Sequence, residues 1–182
     1  MSDYFLEIKN LTKHFPLNND VLSRLTGKTR ILKAVDDISF FIKPGETLGL
    51  VGESGCGKST TARLVTRLIE PSSGTMLLKG EDLLALPPSR MLEMRKTIQL
   101  VFQDPYSSLN PRKTVMQILS RPLEVHNLAH GWAAKRRQVL HLLRLVGLGV
   151  EHGDRYPHEF SGGQRQRLAI ARALAVSPQL VI

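Results

Sequence analysis

Leu48-Gly49-Leu50-Val51-Gly52-Glu53-Ser54-Gly55-Cys56-Gly57-Lys58-Ser59-Thr60 is the stretch whose reading decides the fold. An apolar run passes directly into G-x-x-x-x-G-K-S, which predicts a buried strand, a tight glycine loop and a helix beginning near Lys58. The glycines let the backbone approach a polyphosphate that side chains would hold off. Successive N–H groups then form an anion-binding concavity, and the helix N-terminus adds partial positive charge. Lys58 has the reach for the β- and γ-phosphates, and the Ser59 hydroxyl suits Mg²⁺. A glycine-rich turn with an incidental lysine would lack the strand before it and the helix after it. The loop implies a bound nucleotide and leaves open what that nucleotide is spent on.

Outward from the loop, composition sets bounds. The 182 residues suit one domain or slightly more, and they carry a formal charge of +9. That balance admits nucleic acid or an anionic membrane surface as partners. The basic residues are scattered (Arg24, Lys28, Arg30 and Lys33; Arg90, Arg95 and Lys96; Lys135 to Arg137; Arg165, Arg167 and Arg172), which reads as a solvated surface rather than a nucleic-acid footprint. Cys56 is the only cysteine, so no intrachain disulfide can form, which fits a reducing cytoplasm. Met1-Ser2-Asp3-Tyr4 carries acid early and no apolar core, unlike a secretory signal. No apolar run approaches a membrane span, so a membrane role is expected to run through a partner.

Along the chain, Tyr4 to Lys9 predicts a strand, and Leu17 to Arg30 a long polar loop or insertion. Ile31 to Val35 and Ile38 to Ile42 predict two short strands broken by Asp36-Asp37, followed by a Lys43-Pro44-Gly45 turn. A helix is expected from Ser59 to Ile69, a strand over Thr75 to Lys79, and a short helix from Pro87-Pro88-Ser89 with Ser89 as N-cap. Ile98 to Phe102 reads as a buried strand ending at Gln103. Asp104 to Arg112 is a Pro/Ser/Asn-rich turn, and Thr114 to Leu148 reads helical, with Lys135 to Leu145 an amphipathic face laid on a core. Ser161-Gly162-Gly163-Gln164 opens another helix to Ala175, and Gln179 to Ile182 begins an apolar strand.

The phosphate loop, a strand ending in Gln103, and Ser161-Gly162-Gly163-Gln164-Arg165 opening a helix together resemble the ATP-binding-cassette ATPases. The resemblance covers nearly the whole chain. It implies an α/β, P-loop NTPase core with an N-terminal antiparallel β subdomain and an inserted α-helical subdomain. Within one partial domain, residues 1–103 would form the β subdomain and P-loop core, 104–163 the helical subdomain with the signature, and 164–182 the return to the core. The implied nucleotide-binding residues are Phe15 (stacked on adenine), Gly52, Glu53, Ser54, Gly55, Cys56, Gly57, Lys58, Ser59, Thr60, Gln103, Ser161, Gly162, Gly163 and Gln164. Lys58 and Gln103 carry the implied catalytic roles, Ser59 and Gln103 the Mg²⁺ contacts, and ATP with Mg²⁺ is the implied cofactor pair. Two cassettes would pack head-to-tail, so that Ser161, Gly163 and Gln164 act on ATP held by the other.

Val101-Phe102-Gln103-Asp104-Pro105-Tyr106-Ser107-Ser108-Leu109-Asn110-Pro111-Arg112, with Tyr156 to Phe160 ahead of the signature, resembles the oligopeptide/dipeptide importer ATPases, which include nickel and glutathione systems. The implied partners are a second ATPase subunit, integral membrane permease subunits and, indirectly, an extracytoplasmic solute-binding protein. The implied place is peripheral, at the cytoplasmic face of the inner membrane. No nucleic acid is expected. In the family an aspartate and a glutamate follow the strand at Leu180-Val181-Ile182, so these 182 residues are expected to end in the Walker B strand and to bind ATP without efficient hydrolysis. Two alternatives stand beside this reading: a soluble cassette ATPase acting on nucleic acid or ribosomes, and a non-catalytic binding fragment.

Overall fold

The computed structural model describes residues 3–17, 30–104 and 108–182, and the chain divides into two units, Met1–Met91 and Leu92–Ile182. The first unit is built on an antiparallel sheet of four strands in the order β2-β1-β3-β4: β1 Leu6–Pro16, β2 Ile31–Ile42, β3 Ser73–Leu78 and β4 Glu81–Asp82. Leu6 and Ile8 on β1 are buried, as period-two alternation requires. The next buried residue is Leu11, on the opposite phase, and the register of β1 shifts against β2 between Ile8 and Leu11 and against β3 between Lys9 and Thr12. A bulge absorbs the phase change. Asn10 sits there at φ 49, its side-chain amide donating to Asp37 Oδ1 at 2.8 Å and its backbone N–H to Ser39 Oγ at 2.9 Å. Gly74 of β3 crosses at this point, where a Cβ would lie 2.6 Å from the Asn10 carbonyl oxygen and 2.7 Å from Leu11 Cα, so only glycine fits.

Four expectations are corrected between Ile31 and Thr97. Residues Ile31–Ile42 form one strand instead of two, because Asp37 adopts φ 54 and is absorbed by the same irregular pairing. The helix after the phosphate loop, α1 (Lys58–Val65), stops well before Ile69. There the Thr66 hydroxyl donates to the Ala62 and Arg63 carbonyls at 3.0 and 3.2 Å, and Arg67 turns left-handed at φ 49. The apolar run feeding the loop joins no ladder among the described residues, and Leu48, Leu50 and Val51 are 41%, 46% and 95% exposed. Apolar composition alone does not form a strand, and this run enters neither of the ladders found among the described residues. Finally, helix α2 runs Pro88–Thr97, which puts Ser89 inside the first turn; proline is favoured at the first helical position, where its missing N–H costs nothing.

Between Leu17 and Arg30 the expected insertion lies outside the described residues, but its ends meet: the Leu17 N–H donates to the Arg30 carbonyl at 2.8 Å. The Lys43-Pro44-Gly45 turn forms as expected, with Gly45 at φ 75 and the Glu46 N–H on the Lys43 carbonyl at 3.1 Å.

In the second unit, two short parallel strands pair, β5 Ile98–Gln99 with β6 Leu180–Val181, and the ladder extends through the Val101 N–H on the Ile182 carbonyl at 2.8 Å. The expected single helical region resolves into α3 Val115–Val125 and α4 Gly131–Leu145, separated where Asn127 takes φ 53. Helix α5 spans Gly162–Leu174. Val115, Leu119 and Leu123 share one stripe of α3 and pack with Val139, Leu142 and Leu143 of α4, Leu168 and Ala171 of α5, and Phe160. Thr114 caps α3 in a reciprocal box: its hydroxyl accepts from the Gln117 N–H, and the Gln117 side chain accepts from the Thr114 N–H. Leu143 is fully buried in this cluster, so Leu143→Ala is expected to cost about 2–5 kcal/mol in urea unfolding, against about 0.5 kcal/mol or less for Gln138→Ala on the exposed side.

Candidate functional site

The phosphate loop occupies residues 52–57 and ends at the N-terminus of α1. Gly57 is the N-cap residue at φ 97, and a Cβ there would meet the Ala34 carbonyl oxygen at 2.3 Å. The loop is therefore seated against the backbone of β2, and only glycine allows that approach. Gly57 gives α1 no side-chain cap, and the first turn holds no acidic residue. Two other helix N-termini contrast with it, since Thr114 and Ser161 each close a capping box. An uncapped helix start with an unopposed dipole attracts anions.

The Lys58 side chain curls back over the loop, its ammonium donating to the Gly52 carbonyl at 2.7 Å and the Glu53 carbonyl at 2.6 Å, with Cys56 Sγ at 3.4 Å. A full positive charge thus sits inside the ring of backbone groups. Gly52 to Cys56 and Ser59 are exposed, while Thr61, one turn into the helix, is buried and returns its hydroxyl to the Gly57 carbonyl at 3.0 Å. Loop and lysine are open to a ligand, and the helix behind them is anchored.

Phe15 lies in the same unit, half-buried on β1 opposite Leu32 of β2, three residues from the Lys13–Val35 pair beside the Gly57 seat when counted along β2. The Lys13 ammonium stands 4.9 Å from the Phe15 ring centroid. Next to it His14 Nε2 donates to Asp36 Oδ1 at 2.9 Å and Lys33 Nζ to Asp36 Oδ2 at 3.0 Å; those hydrogen bonds hold the Asp36 carboxyl below its ordinary range.

Gln103 and the Ser161-Gly162-Gly163-Gln164 stretch lie in the other unit. Gln103 is exposed just beyond the β5 ladder. The Ser161 hydroxyl accepts from the Gln164 N–H at 3.3 Å, and Gln164 Oε1 accepts from the Ser161 N–H at 3.0 Å. Arg165 Nε donates to the Phe160 carbonyl at 2.9 Å and fixes the chain's entry into the box. Gly162 and Gly163 are exposed, have no left-handed φ, and would meet nothing within 4 Å if given a Cβ. Among the described residues nothing requires them to be glycine.

Sequence reading missed two contributors. Ala34 acts through its carbonyl, and a backbone group leaves no mark in residue identity. Arg172, half-buried at the far end of α5, donates to the Ser108 carbonyl in the segment after Gln103, and its burial pulls the guanidinium pKa down. Pro105, Tyr106 and Ser107 of that segment lie outside the described residues.

The family model described as "ABC transporter" matches residues 35–182. The chain belongs to the ABC transporter family. It is 51% identical over its whole length to the oligopeptide transport ATP-binding protein OppF of Bacillus subtilis, of which it spans 57%. It is 50% identical over 97% of its length to the glutathione import ATP-binding protein GsiA of Escherichia coli, of which it spans 28%. The chain therefore spans about half the length, or less, of such ABC relatives. Among solved structures, the ATP-binding cassette MJ0796, a dimer bound to ADP and Pi, superposes with a TM-score of 0.82 at 29% identity, over 97% of this chain and 72% of that one. CbiO1 of Clostridium perfringens, part of the cbiONQ ABC transporter complex, gives 0.74 at 27% identity, over 99% of this chain and 64% of that one. The mixed α/β fold is that of the ABC ATPase cassette.

Proposed function

We propose that this chain is the ATP-binding part of the energy-coupling subunit of an ABC importer for peptides or related small solutes such as glutathione. The observation that carries the reading is the uncapped α1 N-terminus behind Gly52–Gly57 with the Lys58 ammonium inside the loop. Those groups suit a polyphosphate and little else. The resemblance to OppF and GsiA supports the solute class. Phe15, on the sheet strand beside the loop's seat, would take the adenine face, worth roughly 0.5–1.5 kcal/mol of stacking.

The Ser59 hydroxyl, exposed in the first turn of α1, and the Gln103 side-chain oxygen are hard oxygen donors that suit Mg²⁺. When bound, the ion would neutralise charge on the β- and γ-phosphates. Lys58 would exchange its two carbonyl partners for phosphate oxygens, and the loop amides would hold the triphosphate in line. In the whole protein a second cassette would pack head-to-tail, bringing its Ser161, Gly162, Gly163 and Gln164 to the γ-phosphate. Closure and hydrolysis would then drive a membrane permease fed by an extracytoplasmic binding protein. Turnover is proposed for the whole protein, and nucleotide binding for these 182 residues.

The test is calorimetric titration with ATP. Lys58→Ala removes charge-assisted bonds worth about 1.5–3 kcal/mol and should weaken binding roughly 10- to 150-fold with the melting curve little changed. Unchanged affinity in the variant would sink the assignment. Solute class is tested in the whole transporter, where oligopeptide or glutathione uptake should fail with the same substitution.

A further inference from the structure

Lys13 pairs in register with Val35, whose Cγ2 would lie 3.5 Å from a Cβ on Gly57. Residues paired across an antiparallel ladder share a face, so Lys13 stands on the side of the sheet that seats the phosphate loop. Phe15, two residues on and half-buried, meets it there: the Lys13 ammonium is 4.9 Å from the ring centroid. The same ammonium donates to the Glu70 carbonyl at 2.7 Å. Among the described residues it makes no ion pair, so no carboxylate cancels the charge that faces the ring.

The carbonyl that holds Lys13 is itself fixed. Glu70 follows shortly after α1, and its carboxylate accepts from Arg67 Nε at 2.8 Å. Arg67 in turn donates to the Leu83 and Leu86 carbonyls at 3.0 and 2.8 Å. Beside Lys13, the Ser72 N–H donates to the Thr12 carbonyl at 2.7 Å, and the His14 N–H to Ser72 Oγ at 3.0 Å. Strand β1 and the segment leaving α1 are thus stitched together around Lys13.

We infer that Lys13 is a positioning residue for the base: its ammonium, held by the Glu70 carbonyl, covers one face of the Phe15 ring and leaves the opposite face for adenine. This rests on the stacking of adenine on Phe15 proposed above and deepens it. A cation is attracted to the electron-rich face of an aromatic ring. A half-buried phenylalanine at a strand end otherwise samples several staggered rotamers, which stacking must restrict. A ring already held in one of them loses less freedom when the base arrives. The same ammonium also ties the strand carrying the ring to the segment leaving α1, so base shelf and phosphate helix keep their spacing.

The test separates base from phosphate. Calorimetry compares ATP with inorganic tripolyphosphate on the 182-residue chain and its variants, each with a melting curve. Lys13→Met keeps the apolar stem and removes the ammonium; it should weaken ATP binding roughly 3- to 5-fold and leave tripolyphosphate binding unchanged. Lys13→Gln carries the same expectation and serves if Lys13→Met fails to fold. Lys13→Arg keeps a cation and a donor and should restore ATP affinity. In a Phe15→Ala background Lys13→Met should cost nothing further, because its effect runs through the ring. Lys33→Met, the same loss of charge at an exposed position on β2, should leave both ligands unaffected. If Phe15→Ala leaves ATP affinity unchanged, the stacking reading falls and this inference falls with it. If Phe15→Ala weakens ATP binding while Lys13→Met does not, or tightens it, the inference alone is wrong. Equal losses of ATP and tripolyphosphate in a folded Lys13→Met would make the lysine a phosphate ligand, and additive losses in the double variant would make it independent of the ring; either result overturns the inference.

Discussion

Gly57→Val is expected to abolish ATP binding, lowering affinity by more than about a thousandfold, while the sheet of the first unit survives. The argument is steric before it is chemical. A Cβ at position 57 would stand 2.3 Å from the Ala34 carbonyl oxygen, and that oxygen belongs to the backbone of β2, which cannot swing aside as a side chain can. The φ of 97 adds left-handed strain of about 1–2 kcal/mol for a residue with a Cβ. The loop must therefore lift from β2, taking with it the amides that form the concavity and the N-terminus of α1. Losing two or three charge-assisted bonds of about 1.5–3 kcal/mol each gives the thousandfold. Gly49→Ala is the matched control: Gly49 has an ordinary φ and nothing within 4 Å of an added Cβ, and affinity should stay within a few-fold. Titration with a fluorescent ATP analogue reads both. Retained affinity in Gly57→Val would mean that the loop does not need its seat on β2.

How much of this was legible beforehand divides along physical lines. The phosphate loop, the helix after it and the serine-headed helix at Gly162 were readable because each depends on local chemistry: glycine where backbone must approach, and a hydroxyl three residues before a glutamine. The amphipathic stripe of Lys135 to Leu145 was readable for the same reason, since helical spacing is a local signal. What failed depended on partners distant in sequence. The single strand Ile31–Ile42 exists because Asn10 and Asp37 accommodate each other across two strands, and Asp36-Asp37 alone reads as a break. The run Leu48 to Val51 looked buried because it is apolar, but burial is supplied by neighbouring strands, and Val51 stands 95% exposed. Of the candidate site, side-chain chemistry is visible in the sequence and backbone geometry is not: the motif names Lys58, which the structure places over the loop, whereas the Ala34 carbonyl beneath Gly57 leaves no mark in residue identity.

Gly163→Asp is expected to separate folding from turnover more cleanly than any other change in this chain. Gly163 is the second residue of α5, exposed, with ordinary φ and no atom within 4 Å of an added Cβ. Aspartate there fills open space, replaces the poorest non-proline helix former and places negative charge at the positive end of the helix dipole, so the chain should melt at the same temperature or slightly higher. The P-loop lies in the other unit and keeps every group it has, so ATP affinity of the 182-residue chain should be unchanged. In the whole protein, if the proposed head-to-tail pairing brings this helix start to the partner's γ-phosphate, the same carboxylate meets a polyphosphate in a closing interface. Like-charge repulsion in a desolvated site should then lower ATP turnover about a thousandfold, comparable to losing a γ-phosphate cation. Steady-state hydrolysis by the assembled transporter, beside calorimetric ATP binding by the isolated chain, reads the two halves. Unchanged turnover would remove Gly163 from the nucleotide site. A lowered melting temperature would assign the glycine to folding instead, against the empty space found around it.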